Sequence, residues 1–225
     1  MKNLTLKAYF GLGQLLAALM LCVFLSAGSF AYWQGWVFLA AFFIPSLAIT
    51  LYFLKADPKL IQGRLKAGPL AEKQTIQKVI QGLASLLFIF LLIMGGLDYR
   101  FGWSHLPISL VYLGDGLVIL GFFAVFLVFK ENSFASSVIR VRQKQKVIAT
   151  GPYALVRHPM YAGAFGLLAG MPLALGSFWG LIPVAGLCAV IVVRLLEEEK
   201  FLGKKLPGYK AYYRKTRYRL IPGLW

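Results

Sequence analysis

Four apolar runs, at 9–29, 32–54, 79–97 and 108–129, constrain this chain more than any other feature. Each is close to the ~20 residues an α-helix needs to cross the hydrocarbon core of a bilayer. Inside that core the backbone must satisfy its own hydrogen bonds, so runs of this length are expected to be helices. A further apolar stretch, Met160–Leu196, is too long for one crossing, because at about 1.5 Å per residue it overshoots a core about 30 Å thick. Pro172, Gly176, Ser177 and Pro183 offer a break. Placing it near Gly176 gives a short fifth helix and a sixth, paired as a hairpin. The expected fold is all-α, a single polytopic bundle of about six spans in which 1–129 holds four and 130–225 the rest. With 59% hydrophobic and 14% charged residues, the chain carries more apolar sequence than a soluble core of this length requires.

The charges test the layout of the spans. Lys2 and Lys7 precede the first run, and further Lys and Arg residues crowd the segments 55–78 and 130–159 and the tail from Arg194. The alternate loops are nearly bare, with Arg100 the exception. By the positive-inside rule both termini and the basic loops face the cytoplasm. Tyr32, Trp33, Trp36, Tyr99, Trp103 and Trp179 then fall near the opposite interface, where amphipathic rings are favoured. A net charge of +16 could suggest nucleic acid, but the basic residues sit in short segments between apolar runs, so they are topology signals and no nucleic-acid partner is expected. The first run is longer than a signal-peptide core and leads directly into another span, so cleavage is not expected. Cys22 and Cys188 lie inside apolar runs and are expected to be packing residues.

Polar residues with chemical potential gather on the cytoplasmic side of the last two spans. In "GPYALVRHPMYAG", 151–163, Gly151-Pro152 predicts a turn and Pro159 suits the first turn of a helix. Arg157 and His158 would then sit at a helix N-terminus, a berth for a carboxylate or another anion. Ala162, Gly166 and Gly170 recur every four residues and predict close helix contact. In "VVRLLEEEKFLGKKL", Arg194 and Glu198 share a face, flanked by Glu197 and Glu199. An interfacial ion pair explains this as well as a ligand does. Arg before Glu is, however, the weaker helical order, and three adjacent carboxylates repel unless a cation is shared among them. His158 and His105 fall on opposite sides, so no multi-histidine metal centre is expected. Asp115, inside the fourth span, suits a cavity-lining or structural role remote from this cluster. In the tail, Tyr209, Tyr212 and Tyr213 stand at helical spacing among basic residues, which predicts a short amphipathic piece on an anionic membrane surface that could also close over the site.

The ordered set "GPYALVRHPMYAG", a hairpin, "RLLEEEKFL" and "GYKAYYRKTRYRLIP" resembles the catalytic C-terminal half of the isoprenylcysteine carboxyl methyltransferase family, which is similar to the phospholipid N-methyltransferases. The resemblance covers about 130–222; the N-terminal spans carry no matching motif. It implies S-adenosylmethionine as cofactor, contacted by Gln145, Lys146, Val147, Ile148, Tyr153, His158, Pro159, Met160, Tyr161 and Glu198. Glu199 could take the place of Glu198, since the acidic run aligns only to within one residue. The resemblance implies Arg194 facing a substrate carboxylate, with Arg194 and Glu198 as the catalytic pair and no metal. A cofactor carrying a sulfonium, an ammonium and a carboxylate wants both an acidic partner and an anion berth, and the two clusters supply one each. The expectation is a carboxyl methyltransferase acting on an isoprenoid- or lipid-linked acceptor at the cytoplasmic face of a bacterial inner membrane or endoplasmic reticulum. The alternatives are a phospholipid amine N-methyltransferase, a membrane sterol-type reductase using NADPH, and a non-catalytic membrane scaffold.

Overall fold

The computed structural model describes residues 2–65, 67–72, 74–139, 141 and 145–225. Among the basic residues of the charge pattern, Lys66, Lys73, Arg140, Arg142 and Lys144 lie outside the described residues. Helix α1, Lys2–Met20, continues through a π-turn at Leu21–Leu25, and α2 is Trp33–Ala56, α3 Pro58–Arg64, α4 Thr75–Phe101 and α5 Ile108–Glu131. The second half has a single turn, α6 (Pro152–Leu155), then α7 (Pro159–Ala174), α8 (Leu181–Lys205) and α9 (Tyr209–Lys215). The four expected runs are thus four helices long and apolar enough to cross a membrane. Their ends extend beyond the apolar runs because a helix continues past the hydrocarbon into polar sequence. Helix α7, at 16 residues, is a shorter apolar helix, and α8 carries charge in its last turns.

The break falls where glycine permits it. Helix α7 ends at Ala174, Gly176 has φ +67°, and α8 starts five residues later at Leu181, so the expected hairpin is present. Not foreseen was α3, which Asp57 starts by accepting a hydrogen bond from the Leu60 amide at 3.1 Å with Pro58 in the first turn, a strong N-cap arrangement.

Helix α7 packs on α5 almost backbone to backbone. A Cβ on Gly114 would lie 2.2 Å from the Ala174 amide, and one on Gly170 would lie 2.5 Å from the Gly114 carbonyl. The small-residue face is therefore Gly163 and Gly170 against Gly114 and Gly121. Gly166, expected in that contact, meets nothing within 4 Å. At one end of the bundle Asp98 accepts from the Ser104 amide and hydroxyl and from Ser177, tying α4 to the α7–α8 turn. Trp33, Trp36, Trp103 and Trp179 are exposed at this end as expected, whereas Tyr32 is fully buried. Its ring stacks on Tyr99 and its hydroxyl donates to Leu175, so packing rather than an interface holds it. At the opposite end Ala8, Phe53, Leu60, Ile61, Val128, Phe129 and Ala135 form a second core, on which the functional site is built.

Candidate functional site

Three consecutive glutamates near the end of α8 separate by about 100° each around the helix, and each finds a different neighbour. Glu197 pairs with exposed Lys200 at 2.6 Å. Glu198 accepts the Tyr161 hydroxyl of α7 at 2.7 Å. Glu199 points to the base of α7 and the tail, with Arg157 Nε at 2.7 Å, Arg219 Nε at 3.1 Å and His158 Nε2 at 3.3 Å. The mutual repulsion expected of this run is thus relieved by the chain's own cations. Burial alone would push the Glu199 carboxyl up, but hydrogen bonds from His158 and Arg219 and the charges of His158 and Arg157 outweigh it and hold it below the usual glutamate value.

The base of α7 is also closed by backbone. The Arg157 and His158 amides donate to the Tyr218 and Arg219 carbonyls at 2.9 and 3.0 Å, so these amides are not the anion berth expected of them. Arg157 is buried, lies over the Tyr213 ring at 4.0 Å and pins the tail to α8 and α7. The tail does reach the site: α9 turns Tyr209 and Tyr212 inward, and the Tyr212 hydroxyl donates to the Tyr153 carbonyl at 2.8 Å.

A cavity of about 110 Å³, partly open to solvent, lies between the α5–α6 segment, the start of α7, the end of α8 and α9. Gln145, Lys146, Val147, Ile148, Tyr153, His158, Pro159, Met160, Tyr161 and Glu198 all line it. Glu199 does not, because its oxygens are turned to Arg157 and Arg219, and Arg194 does not either. Gly151 permits the turn into α6 with φ +55°, and a Cβ there would meet the Glu131 carboxylate at 2.9 Å. Burial pushes the Tyr153 and Tyr212 phenols up to about 12 and raises Tyr209 as well, so at neutral pH these rings act as hydroxyls. Glu198 keeps one oxygen with no hydrogen-bond partner among the described residues, and the Tyr209 hydroxyl is buried without a partner among them. A carboxylate oxygen and a hydroxyl without partners among the described residues, together with the ammonium of Lys146, surround one cavity and fit a ligand that carries both a cation and a carboxylate.

Arg194 belongs to a neighbouring network that reaches across the molecule. Its Nη2 lies 2.8 Å from Glu72 Oε1 and donates to the Ser137 carbonyl, Nη1 donates to Gln77, and Nε donates to the Tyr161 hydroxyl. The shared helical face of Arg194 and Glu198 therefore yields no direct ion pair; Tyr161 stands between them. Glu72 and Gln77 were not foreseen. The available signal was a lone carboxylate in a lysine-rich loop, and Glu72 is buried there, also accepting from Gln81 and the Ile139 amide. Among the described residues no cluster of three metal-ligating groups occurs. Asp115 is buried in α5 with neither oxygen partnered among the described residues, in the half of that helix away from the cavity.

Residues 109–207 match the family model described as phospholipid methyltransferase. No curated protein matches the chain. The matched stretch runs from the first turn of α5 to just past α8 and contains every cavity-lining residue except Tyr209 and Tyr212. Over residues 109–207, therefore, the chain is similar to the phospholipid methyltransferase family.

Proposed function

We propose that this chain transfers a methyl group from S-adenosylmethionine to a lipid-embedded acceptor at the end of the bundle where α7 begins and α8 ends. One observation carries the reading: within the family-matched stretch, 145–148, Tyr153, His158–Tyr161 and Glu198 line a single cavity. Glu198 would hold the cofactor's ammonium and Lys146 its carboxylate, with Tyr209 offering a further hydrogen bond. The cofactor supplies an already activated methyl group, so the protein's part is alignment and exclusion of water more than acid or base catalysis. Tyr161 fixes the Glu198 carboxylate by its hydrogen bond and is itself fixed by Arg194 Nε. The basic loops at this end support a cytoplasmic orientation, where a water-soluble donor and a lipid can meet.

The carboxyl acceptor expected from Arg194 depended on a free guanidinium fork. That fork is engaged by Glu72, Gln77, Ser137 and Tyr161, which supports an amine acceptor in its place. An amine must lose a proton before or during attack, and His158, which lines the cavity beside Glu198, can take it while Glu198 holds the cofactor. The carboxyl reading stays as the second one, because Arg194 lies one hydrogen bond from Tyr161 on the cavity wall.

The test is incubation of the purified protein with methyl-labelled S-adenosylmethionine and a membrane lipid extract, then identification of the labelled lipid. A base-stable product is a methylamine and a base-labile one an ester. Glu198→Ala is expected to abolish transfer while the protein still folds and inserts, and Arg194→Ala to abolish it with a lowered melting temperature, since it leaves buried Glu72 without its counter-charge. Binding of NADPH without S-adenosylmethionine, or normal turnover in both variants, would overturn the proposal.

A further inference from the structure

We propose that Arg64, at the end of α3, is the berth for an oxyanion, phosphate or carboxylate, carried by the lipid acceptor. The proposal rests on the reading of the chain as a methyltransferase with a lipid acceptor. It concerns a residue outside the family-matched stretch 109–207.

The cavity wall has two guanidinium groups behind it, and they are treated differently. Arg194 has a carboxylate and three further acceptors. Arg64 donates from Nη1 to the Met160 sulfur at 3.6 Å and lies over the Phe129 ring at 4.9 Å. Among the described residues no carboxylate lies within ion-pair distance of it. A thioether is a weak acceptor, and a desolvated cation without a counter-charge is costly. The surroundings are dense enough that burial pushes this guanidinium down to about 10, with Arg194 adding to the effect and the Tyr161 and Tyr153 phenols opposing it. Arg64 as a residue is half-buried rather than buried, so part of it stays open to an incoming group.

The position is fixed rather than adventitious. The Ser137 hydroxyl donates to the Arg64 carbonyl at 3.1 Å, and Ser136 donates to Gly63 at 3.5 Å. These serines belong to the segment that forms one wall of the cavity, and Met160 forms another. Phe129 supplies an aromatic face under the guanidinium and belongs with Leu60 and Phe53 to the buried core of this end. A planar fork held on an aromatic ring, next to apolar surface and one residue from the reaction cavity, suits bidentate binding of an oxyanion on an amphiphile.

The experiment measures binding of dodecyl phosphate, dodecanoate and dodecyltrimethylammonium to the full chain in non-ionic detergent, for wild type, Arg64→Lys and Arg64→Gln. It also measures acceptor and S-adenosylmethionine KM for methyl transfer. Wild type is expected to bind the two anionic amphiphiles, the tighter one identifying the oxyanion. Arg64→Gln is expected to weaken that binding about tenfold, the size of one charge-assisted hydrogen bond, and to raise the acceptor KM in proportion, with S-adenosylmethionine KM and melting unchanged. Arg64→Lys should fall between, and carries the test alone if Arg64→Gln does not fold. Equal anion binding in wild type and variants overturns the Arg64 berth, even if methyl transfer persists. Loss of anion binding in Arg64→Gln, with no methyl transfer by wild type, keeps the berth and overturns the methyltransferase reading.

Discussion

Replacing Glu199 by Gln removes the charge that three cations share, and the structure sets the size of the effect. The Glu199 side chain is 8% exposed and Arg157 only 3%, whereas Arg219 is 24% exposed and can rehydrate. Removing one partner of a buried ion pair costs about 3–5 kcal/mol, because the other charge is left uncompensated. Gln keeps an oxygen that can accept one N–H, so the expected loss is at the lower end, about 3 kcal/mol. For a chain of this length that corresponds to a fall of about 6–12 °C in melting temperature. The assay is thermal unfolding of the purified protein in detergent, run as a double-mutant cycle with Arg157→Met. If Arg157 bears most of the penalty, the double variant should recover about 2 kcal/mol relative to the sum of the single ones. Additivity within about 0.5 kcal/mol would mean that the two side chains do not act as a pair, and the account of how the tail is held to the site would be wrong.

The same carboxylate gives a pH prediction. Its folded value is lowered below 4.5, so its stabilising contribution is complete above that value and is lost as pH falls through the lowered one. Melting of wild type should drop in that acidic window, and Glu199→Gln should drop less. Glu72→Gln leaves buried Arg194 without its counter-charge and should cost about 3 kcal/mol in the same melting assay, together with loss of methyl transfer. Gly114→Val should prevent the close packing of α5 on α7, seen as loss of the monodisperse species in size exclusion, whereas Gly166→Ala, which meets open space, should behave as wild type. Tyr161→Phe removes one acceptor from Arg194 and one donor from Glu198, and should lower turnover about tenfold, the effect of one such hydrogen bond, at unchanged melting temperature.

The helices were legible because hydrophobic length and turn chemistry are local properties. Four apolar runs became four long helices, and Gly176 marked the hairpin because it can take a positive φ. The resemblance also named ten residues that line the cavity, but with them Arg194 and Glu199, which do not, and it missed Asn132, Ser136 and Tyr209. What stayed hidden depends on side-chain direction. Four-residue spacing made Gly166 and Gly170 equivalent, although the rotation of α7 turns only Gly170, with Gly163, toward α5. Tyr32 looked like an interfacial ring because sequence does not reveal that Tyr99 stacks on it. Arg194 looked free for a ligand because its counter-ion lies 122 residues away, in a lysine-rich loop whose charges read as a topology signal. The start of α3 could have been found, since Asp57-Pro58 is an N-cap followed by a first-turn proline.

The bridge from Arg194 to Glu72 and Gln77 bears on how such proteins can diversify. The family signature occupies the second half of the chain, but the groups that neutralise and orient its arginine come from the first. A chimera that grafts this C-terminal half onto a foreign set of leading helices would strand a buried cation unless the new partner brings its own acid and amide to the same spot. The two halves are thus obliged to travel as a unit, and any swap of the leading helices must keep that junction intact.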